Sequence, residues 1–223
     1  MKQESSQLDN YRAMKIILDF DNTIFNTLLM LSEFLKVFQK AGFAEEEFWN
    51  NYEKTKEKIG GFDQKIFIDL LGNSSFFDKK KTKEKMDSIL SRASNFIYPD
   101  FADFAKSFNK RDLMLLSYGV TDFQKRKIEK SKIASMLSEI IITSKSKDKS
   151  FKIICQKYQG EKLFFIEDNG KQIDQVKKEF PEVIVLKMER PQCRYIEVKS
   201  ELADYVIKDF YEAREIIKTV CKV

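Results

Sequence analysis

Two acidic clusters follow apolar runs in this chain. In MKIILDFDNT the run at 14–18 gives way to Asp19 and, two places on, Asp21. In KLFFIEDN the run at 162–166 gives way to Glu167, Asp168 and Asn169. Carboxylates brought together at the end of a buried element repel one another unless a cation sits between them. Hard oxygen ligands without imidazole or thiolate suit Mg²⁺, which keeps several waters and binds a substrate phosphate. Two more runs end in complementary groups. LMLL (113–116) leads to Ser117, Tyr118 and Gly119, and EIIIT (139–143) leads to SKSKDKSFK, with Lys145, Lys147 and Lys149. A hydroxyl and an ammonium donate hydrogen bonds to phosphoryl oxygens, and a carboxylate oxygen can act as the nucleophile in group transfer. The plainer alternatives are a solvated strand end for Asp19 and Asp21, a turn serine at 117, solvated lysines at 145–149, and a helix cap at 167–169, since Asp and Asn favour caps.

The rest of the composition narrows the chemistry. The chain has no histidine, which removes imidazole acid–base work and histidine-ligated zinc. Cys155, Cys193 and Cys221 form no CxxC pair and read as plain thiols. The formal charge of +5 comes from lysines spread over the whole chain. Anionic partners are favoured; a nucleic-acid partner is allowed by charge but not indicated. No apolar run reaches the roughly 20 residues that span a bilayer, and MKQESSQLDNYR lacks the apolar core of a signal peptide. A cytoplasmic protein without a membrane partner is therefore expected. The sequence is silent on oligomeric state.

The elements that must position these groups form a rhythm. MKIIL, LMLL, EIIIT, KLFFI, EVIVL (182–186) and DYVI (204–207) are short runs, mostly continuous rather than alternating, as in strands buried on both faces of a parallel sheet. Helix-length amphipathic stretches lie between them at 100–109, 120–131, 149–158, 170–180 and 209–220. Strand and helix in alternation predict an α/β, doubly wound, mostly parallel Rossmann-like sheet. In such a sheet ligands bind beyond the carboxyl ends of the strands, where all four sets of polar residues stand. One connection is too long for a single crossover. Residues 19–112 read mostly as helix, with breaks at Ala41-Gly42, Gly60-Gly61 and Gly72-Asn73. An inserted helical cap subdomain at 26–95 is expected, on a core made of 1–25 and 96–223. The aromatics of the insertion, among them Phe34, Phe38, Phe48, Trp49, Tyr52, Phe62 and Phe67, read mainly as packing, with some facing the site. The lysine run at 78–85 reads as a solvated helix face.

These motifs resemble the haloacid dehalogenase (HAD) superfamily. ILDFDNT resembles its first motif, LMLLS its second, a lysine at a helix start its third, and FFIEDN its fourth. The resemblance runs over about 14–220, and the insertion resembles the helical (C1-type) cap. It implies that Asp19 is the nucleophile and Asp21 the acid and base. It also implies that Asp19, Asp21, Glu167 and Asp168 make up the metal site. Thr23, Ser117, Tyr118 and a lysine would serve the phosphate, Thr23 by supporting the loop. Lys149 is the lysine chosen, because it opens the helix KSFKIICQKY; Lys147 and then Lys145 follow. Asn22 stands where glycine is common, and Asn tolerates left-handed geometry better than most residues. Dehalogenating and phosphonate-cleaving members lack an acid two places after the nucleophile, so Asp21 favours phosphate esters, whose leaving alkoxide needs a proton. The resulting expectation is Mg²⁺-dependent hydrolysis of a small phosphorylated metabolite through an aspartyl-phosphate. The alternatives are phosphotransfer to a sugar acceptor, as in sugar-phosphate mutases, and a non-catalytic basic binding module on the same fold.

Overall fold

The computed structural model describes residues 13–71, 77–191 and 198–221. Cys193, the Gly72-Asn73 break and the polar N-terminal stretch lie outside these residues. Six strands form one sheet: β1 (Met14–Leu18), β2 (Leu113–Tyr118), β3 (Glu139–Thr143), β4 (Lys162–Glu167), β5 (Ile184–Met188) and β6 (Tyr205–Ile207). Their order is β3-β2-β1-β4-β5-β6, and every pairing is parallel. The chain runs outward from β1 to β3, then returns to lay β4 on the other side of β1. The order therefore reverses beside β1, where a parallel sheet leaves a crevice at its carboxyl edge.

Period-2 alternation explains the two cores. Ile16 and Leu18 face one side of the sheet and Ile17 the other, all fully buried. The first side is covered by α5 (Asp100–Lys106), α6 (Thr121–Ser131) and α9 (Phe210–Cys221); the second by α7 (Lys147–Lys157) and α8 (Gly170–Glu179). The continuous run EIIIT behaves differently from the central strands. β3 is an edge strand, and Ile140 is exposed. A run of isoleucines thus marks a strand without marking burial on both faces.

Among the described residues four α-helices lie between β1 and the return at residue 97: α1 (Thr27–Gln39), α2 (Glu45–Ile59), α3 (Gln64–Leu70) and α4 (Lys79–Ser91). Asn26, Asp63 and Asp78 cap α1, α3 and α4 by accepting from main-chain N–H groups of the first turn. Gly60 ends α2 with φ 68°, a left-handed closure suited to glycine. Phe34, Phe38, Phe48 and Phe67 are buried among these helices, and their core is continuous with one face of the sheet. Lys80, Lys81, Lys83 and Lys85 lie on the exposed face of α4. The outgoing and returning chains run side by side: Asn26 N donates to Phe96 O at 2.7 Å and Tyr98 N to Ile24 O at 2.9 Å. Among the described residues no helix is long and apolar enough to cross a membrane.

Candidate active site

Asp19 follows β1 directly, and its N–H continues the ladder to Ile166 O on β4 at 2.9 Å. That register sets it beside Glu167 and Asp168 at the end of β4. One carboxylate oxygen from each of Asp19, Glu167 and Asp168 lies within 4.8 Å of the others. The loop turns at Asn22, which adopts φ 60° and donates from Nδ2 to Asp168 Oδ2 at 3.1 Å. The residue that permits the turn also ties the first acidic cluster to the second.

The lysine that the structure brings to the acidic cluster is Lys147; Lys149 does not reach it. Lys147 is 2 % exposed, and its Nζ donates to Asp19 Oδ1 and Glu167 Oε2, each at 2.5 Å. Lys149 is exposed on α7, as is Lys145 on the loop before it. The physical reason is that α7 begins two residues earlier than its apolar pattern suggests, with Ser146 at the cap position. Lys147, Phe151 and Ile154 then share one face at i, i+4 and i+7, and all three are buried.

Three carboxylates against one ammonium leave two negative charges in this cluster when all are ionised. Burial and then Glu167 push the Asp19 carboxyl up to about 7, against the lowering pull of Lys147. Burial pushes Lys147 down, but its two carboxylate partners outweigh that and hold it above the usual lysine range. Asp19 Oδ2 is buried and makes no hydrogen bond. Both oxygens of Glu167 are engaged, Oε2 by Lys147 and Oε1 by the N–H of Asn169 at 3.0 Å. An unpartnered buried carboxylate oxygen beside Asp168, all donors being oxygen, fits a hard divalent cation. Asn169 also caps α8, accepting from Lys171 N at 3.1 Å, so the cap reading and the acidic cluster coexist.

Asp21 has a separate set of partners. Its Oδ1 accepts from Thr27 Oγ1 at 2.5 Å and from Lys127 Nζ; its Oδ2 accepts from Gln124 Nε2 at 2.6 Å. Burial alone would raise its pKa. The Lys127 charge and the bonds from Lys127, Thr27 and Gln124 outweigh this and hold Asp21 below its ordinary value. Lys127 is itself buried, with its Nζ 5.2 Å from the Phe25 ring centroid and 5.4 Å from those of Phe20 and Phe123. Neither Gln124 nor Lys127 was among the residues read from sequence. A signal existed: Phe123, Lys127, Ile128 and Ser131 fall on one face of α6 at helical spacing, so Lys127 sits on the apolar stripe while Lys125 and Arg126 do not.

The expected phosphate-side residues are placed differently from that expectation. Ser117 is fully buried and does not line the cavity; its Oγ accepts from Gln124 Nε2 at 2.8 Å. The same amide nitrogen also reaches Tyr118 O at 3.0 Å, so its two N–H groups are shared among three acceptors. Gly119 permits this: a Cβ there would lie 2.9 Å from Gln124 Cγ. Tyr118 does line the cavity, but its hydroxyl donates to Gly60 O at 2.9 Å, joining the sheet edge to the insertion. The Thr23 hydroxyl is buried and makes no hydrogen bond. Its carbonyl is what the structure uses, accepting from Arg190 Nη2 at 3.2 Å. Arg190 in turn grips buried Asp100 at 2.7 and 3.1 Å and stacks over Tyr98 at 4.1 Å. Thr23 thus holds the loop through its main chain.

Above these groups lies a cavity of about 480 Å³. Asp19, Asp21, Lys127, Lys147, Glu167 and Asp168 line one part of it. Side chains of α1, α2 and the 60–62 turn, including Leu31, Trp49, Tyr52 and Phe62, line another. The insertion therefore walls the space into which the acidic residues face.

No protein-family model matches the chain, and no curated protein does. Solved structures do. A putative haloacid dehalogenase-like hydrolase from Burkholderia xenovorans is 17% identical with a TM-score of 0.73, covering 92% of this chain and 98% of its own. The putative HAD-hydrolase YfnB from Bacillus subtilis, bound to magnesium, is 13% identical with a TM-score of 0.59, covering 92% and 99%. The L-2-haloacid dehalogenase from Xanthobacter autotrophicus is 12% identical with a TM-score of 0.64, covering 93% and 99%. The chain has the haloacid dehalogenase-like fold along nearly its whole length.

Proposed function

We propose that this chain is a Mg²⁺-dependent phosphomonoesterase that works through an aspartyl-phosphate on Asp19. The fold is shared by dehalogenases and phosphatases alike, so the reading rests on one residue. Asp21 faces the same cavity as Asp19 from two places along the loop, where an acid serves an ester whose leaving alkoxide must be protonated.

Asp19 and Asp168, with the Asp21 main-chain carbonyl that the family resemblance implies, would hold the cation. When bound, it would neutralise the acidic cluster and the charge of the transferring phosphoryl group. Lys147 orients Asp19 by binding Oδ1 and favours its ionised form, against the burial and the Glu167 charge that oppose it. A carboxylate oxygen of Asp19 forms the new bond to phosphorus as the ester P–O bond breaks. Asp21 then supplies the proton to the leaving oxygen. Its grip by Lys127 favours the ionised form, which is the form needed in the second step, when it takes a proton from the water that attacks the aspartyl-phosphate. A phosphate dianion entering beside Asp21 raises its proton affinity by like-charge repulsion, which arms it for the first step. The cavity volume suits a small phosphorylated metabolite.

The test is p-nitrophenyl phosphate turnover with Mg²⁺ and with EDTA. Metal-dependent turnover lost in Asp19→Asn is expected. Turnover that ignores the metal, or that survives in Asp19→Asn, refutes the reading.

A further inference from the structure

The two ends of the cavity have opposite character. The phosphate end carries the acidic cluster and two buried lysines. The end walled by the insertion carries Leu28, Leu31, Trp49, Tyr52 and Phe62, and α6 adds Phe123. The rings form one connected set: Trp49–Tyr52 centroids are 5.9 Å apart, Tyr52–Phe62 5.3 Å, and Phe62–Phe123 5.2 Å.

Several polar atoms that the insertion contributes to that side already have partners. Thr27 Oγ1 donates to Asp21 at 2.5 Å. Trp49 Nε1 donates to Glu45 at 3.2 Å. Glu53 and Lys56 pair at 3.7 Å, and Gly60 O accepts from Tyr118 at 2.9 Å. A polyol brought here would leave water and find few partners for its hydroxyls, which is costly for each group left unbonded. A flat apolar group would gain ring contacts and lose nothing of this kind.

We infer that the organic part of the substrate is an apolar, aromatic group rather than a sugar or polyol. This substrate class rests on the phosphomonoesterase reading. It also disfavours the sugar-phosphate mutase alternative, whose acceptor would occupy the same apolar end.

Binding and turnover test it separately. Trp49 is the only tryptophan of the chain and lines the cavity, so its emission reports occupancy without catalysis. With Mg²⁺ present, 2-phenylethylphosphonate is expected to shift Trp49 emission and to bind at least about tenfold more tightly than 2,3-dihydroxypropylphosphonate, as burial of one ring predicts. The preference should collapse in Leu28→Gln, a half-buried position, and weaken in Phe62→Leu, a second variant that keeps an apolar side chain but removes the ring. In turnover, 2-phenylethyl phosphate should exceed glycerol 1-phosphate at least about tenfold in kcat/KM; both release primary alkoxides, so leaving-group acidity does not decide the comparison. Equal or tighter binding of the diol, no response of Trp49 to the phenylethyl ligand, or an unchanged preference in both variants overturns the inference. Equal turnover of the two esters overturns the inference and leaves the phosphatase reading standing. Selective binding without turnover of either does the reverse.

Discussion

Replacing Lys147 by methionine tests the centre of the site. Methionine keeps the length of the side chain and removes the charge. Lys147 Nζ is bonded at 2.5 Å to both Asp19 and Glu167, and all three groups are buried. Removing one partner of a buried ion cluster costs about 3–5 kcal/mol. The cost should depend on pH. Asp19 already has its carboxyl raised to about 7 with the lysine present, and losing the lysine raises it further. Above pH 7 the folded wild type has released that proton while the folded variant keeps it; unfolded Asp19 is ionised in both. The variant's folded state then binds more protons than its unfolded state, so its stability falls as pH rises, by about 1.4 kcal/mol per unit. The lysine's contribution should therefore grow between pH 7 and 8. Urea melts in EDTA measure this. Lys149→Met, on an exposed side chain of the same helix, should stay within about 0.5 kcal/mol of wild type. Mg²⁺ at one hundred times its Kd should return about 2.7 kcal/mol to any variant that still binds it. A loss below about 1 kcal/mol in Lys147→Met, or an equal loss in Lys149→Met, would refute the assignment of the lysine.

Mg²⁺ affinity should follow the ionisation of Asp19: with its carboxyl near 7 in the metal-free protein, the apparent affinity rises about fivefold from pH 6 to 7 and less than twofold from 7 to 8. Calorimetry in buffers of different ionisation enthalpy would detect the proton released below pH 7. Arg190→Met should cost about 3–5 kcal/mol in urea melts, because it leaves the Asp100 carboxylate buried without its cation, still accepting from the Phe210 N–H at 2.8 Å; it should also lower kcat, since the Thr23 carbonyl loses its anchor. Tyr118→Phe should cost about 0.5–1.5 kcal/mol and speed amide exchange at 60–62, where its hydroxyl holds Gly60 O.

Much of this was legible in the sequence because burial leaves a mark on residue type. The four central runs fit strands covered on both sides, and in a parallel sheet the acids and hydroxyl at their ends fall at one sheet edge. What escaped was side-chain direction within helices. Lys147 and Lys149 differ by two residues, which is about 200° around an α-helix. Only the first shares a face with Phe151, while Lys149 shares one with Ile153, which is 65 % exposed. Lys127 escaped for the same reason, as one of three consecutive basic residues of which one turns inward. The covering of Ser117 by Gln124 was not legible, because it depends on a contact that Gly119 permits rather than on spacing. The edge position of β3 was also hidden, since its isoleucines look like those of a buried strand.

The order of the sheet has a consequence for how the protein comes into being. β1 leaves the ribosome well before its neighbours in the sheet, β2, starting at Leu113, and β4, ending at Glu167. At ordinary elongation rates the wait is on the order of ten seconds. Throughout it, Ile16, Ile17 and Leu18 belong to an unpaired apolar strand, the kind of segment chaperones hold. The helices that follow make mostly local contacts and can form in the meantime. The walls of the cavity are thus synthesised before the rest of its floor, and Asp19 meets Glu167 and Asp168 only once the fourth strand has been made.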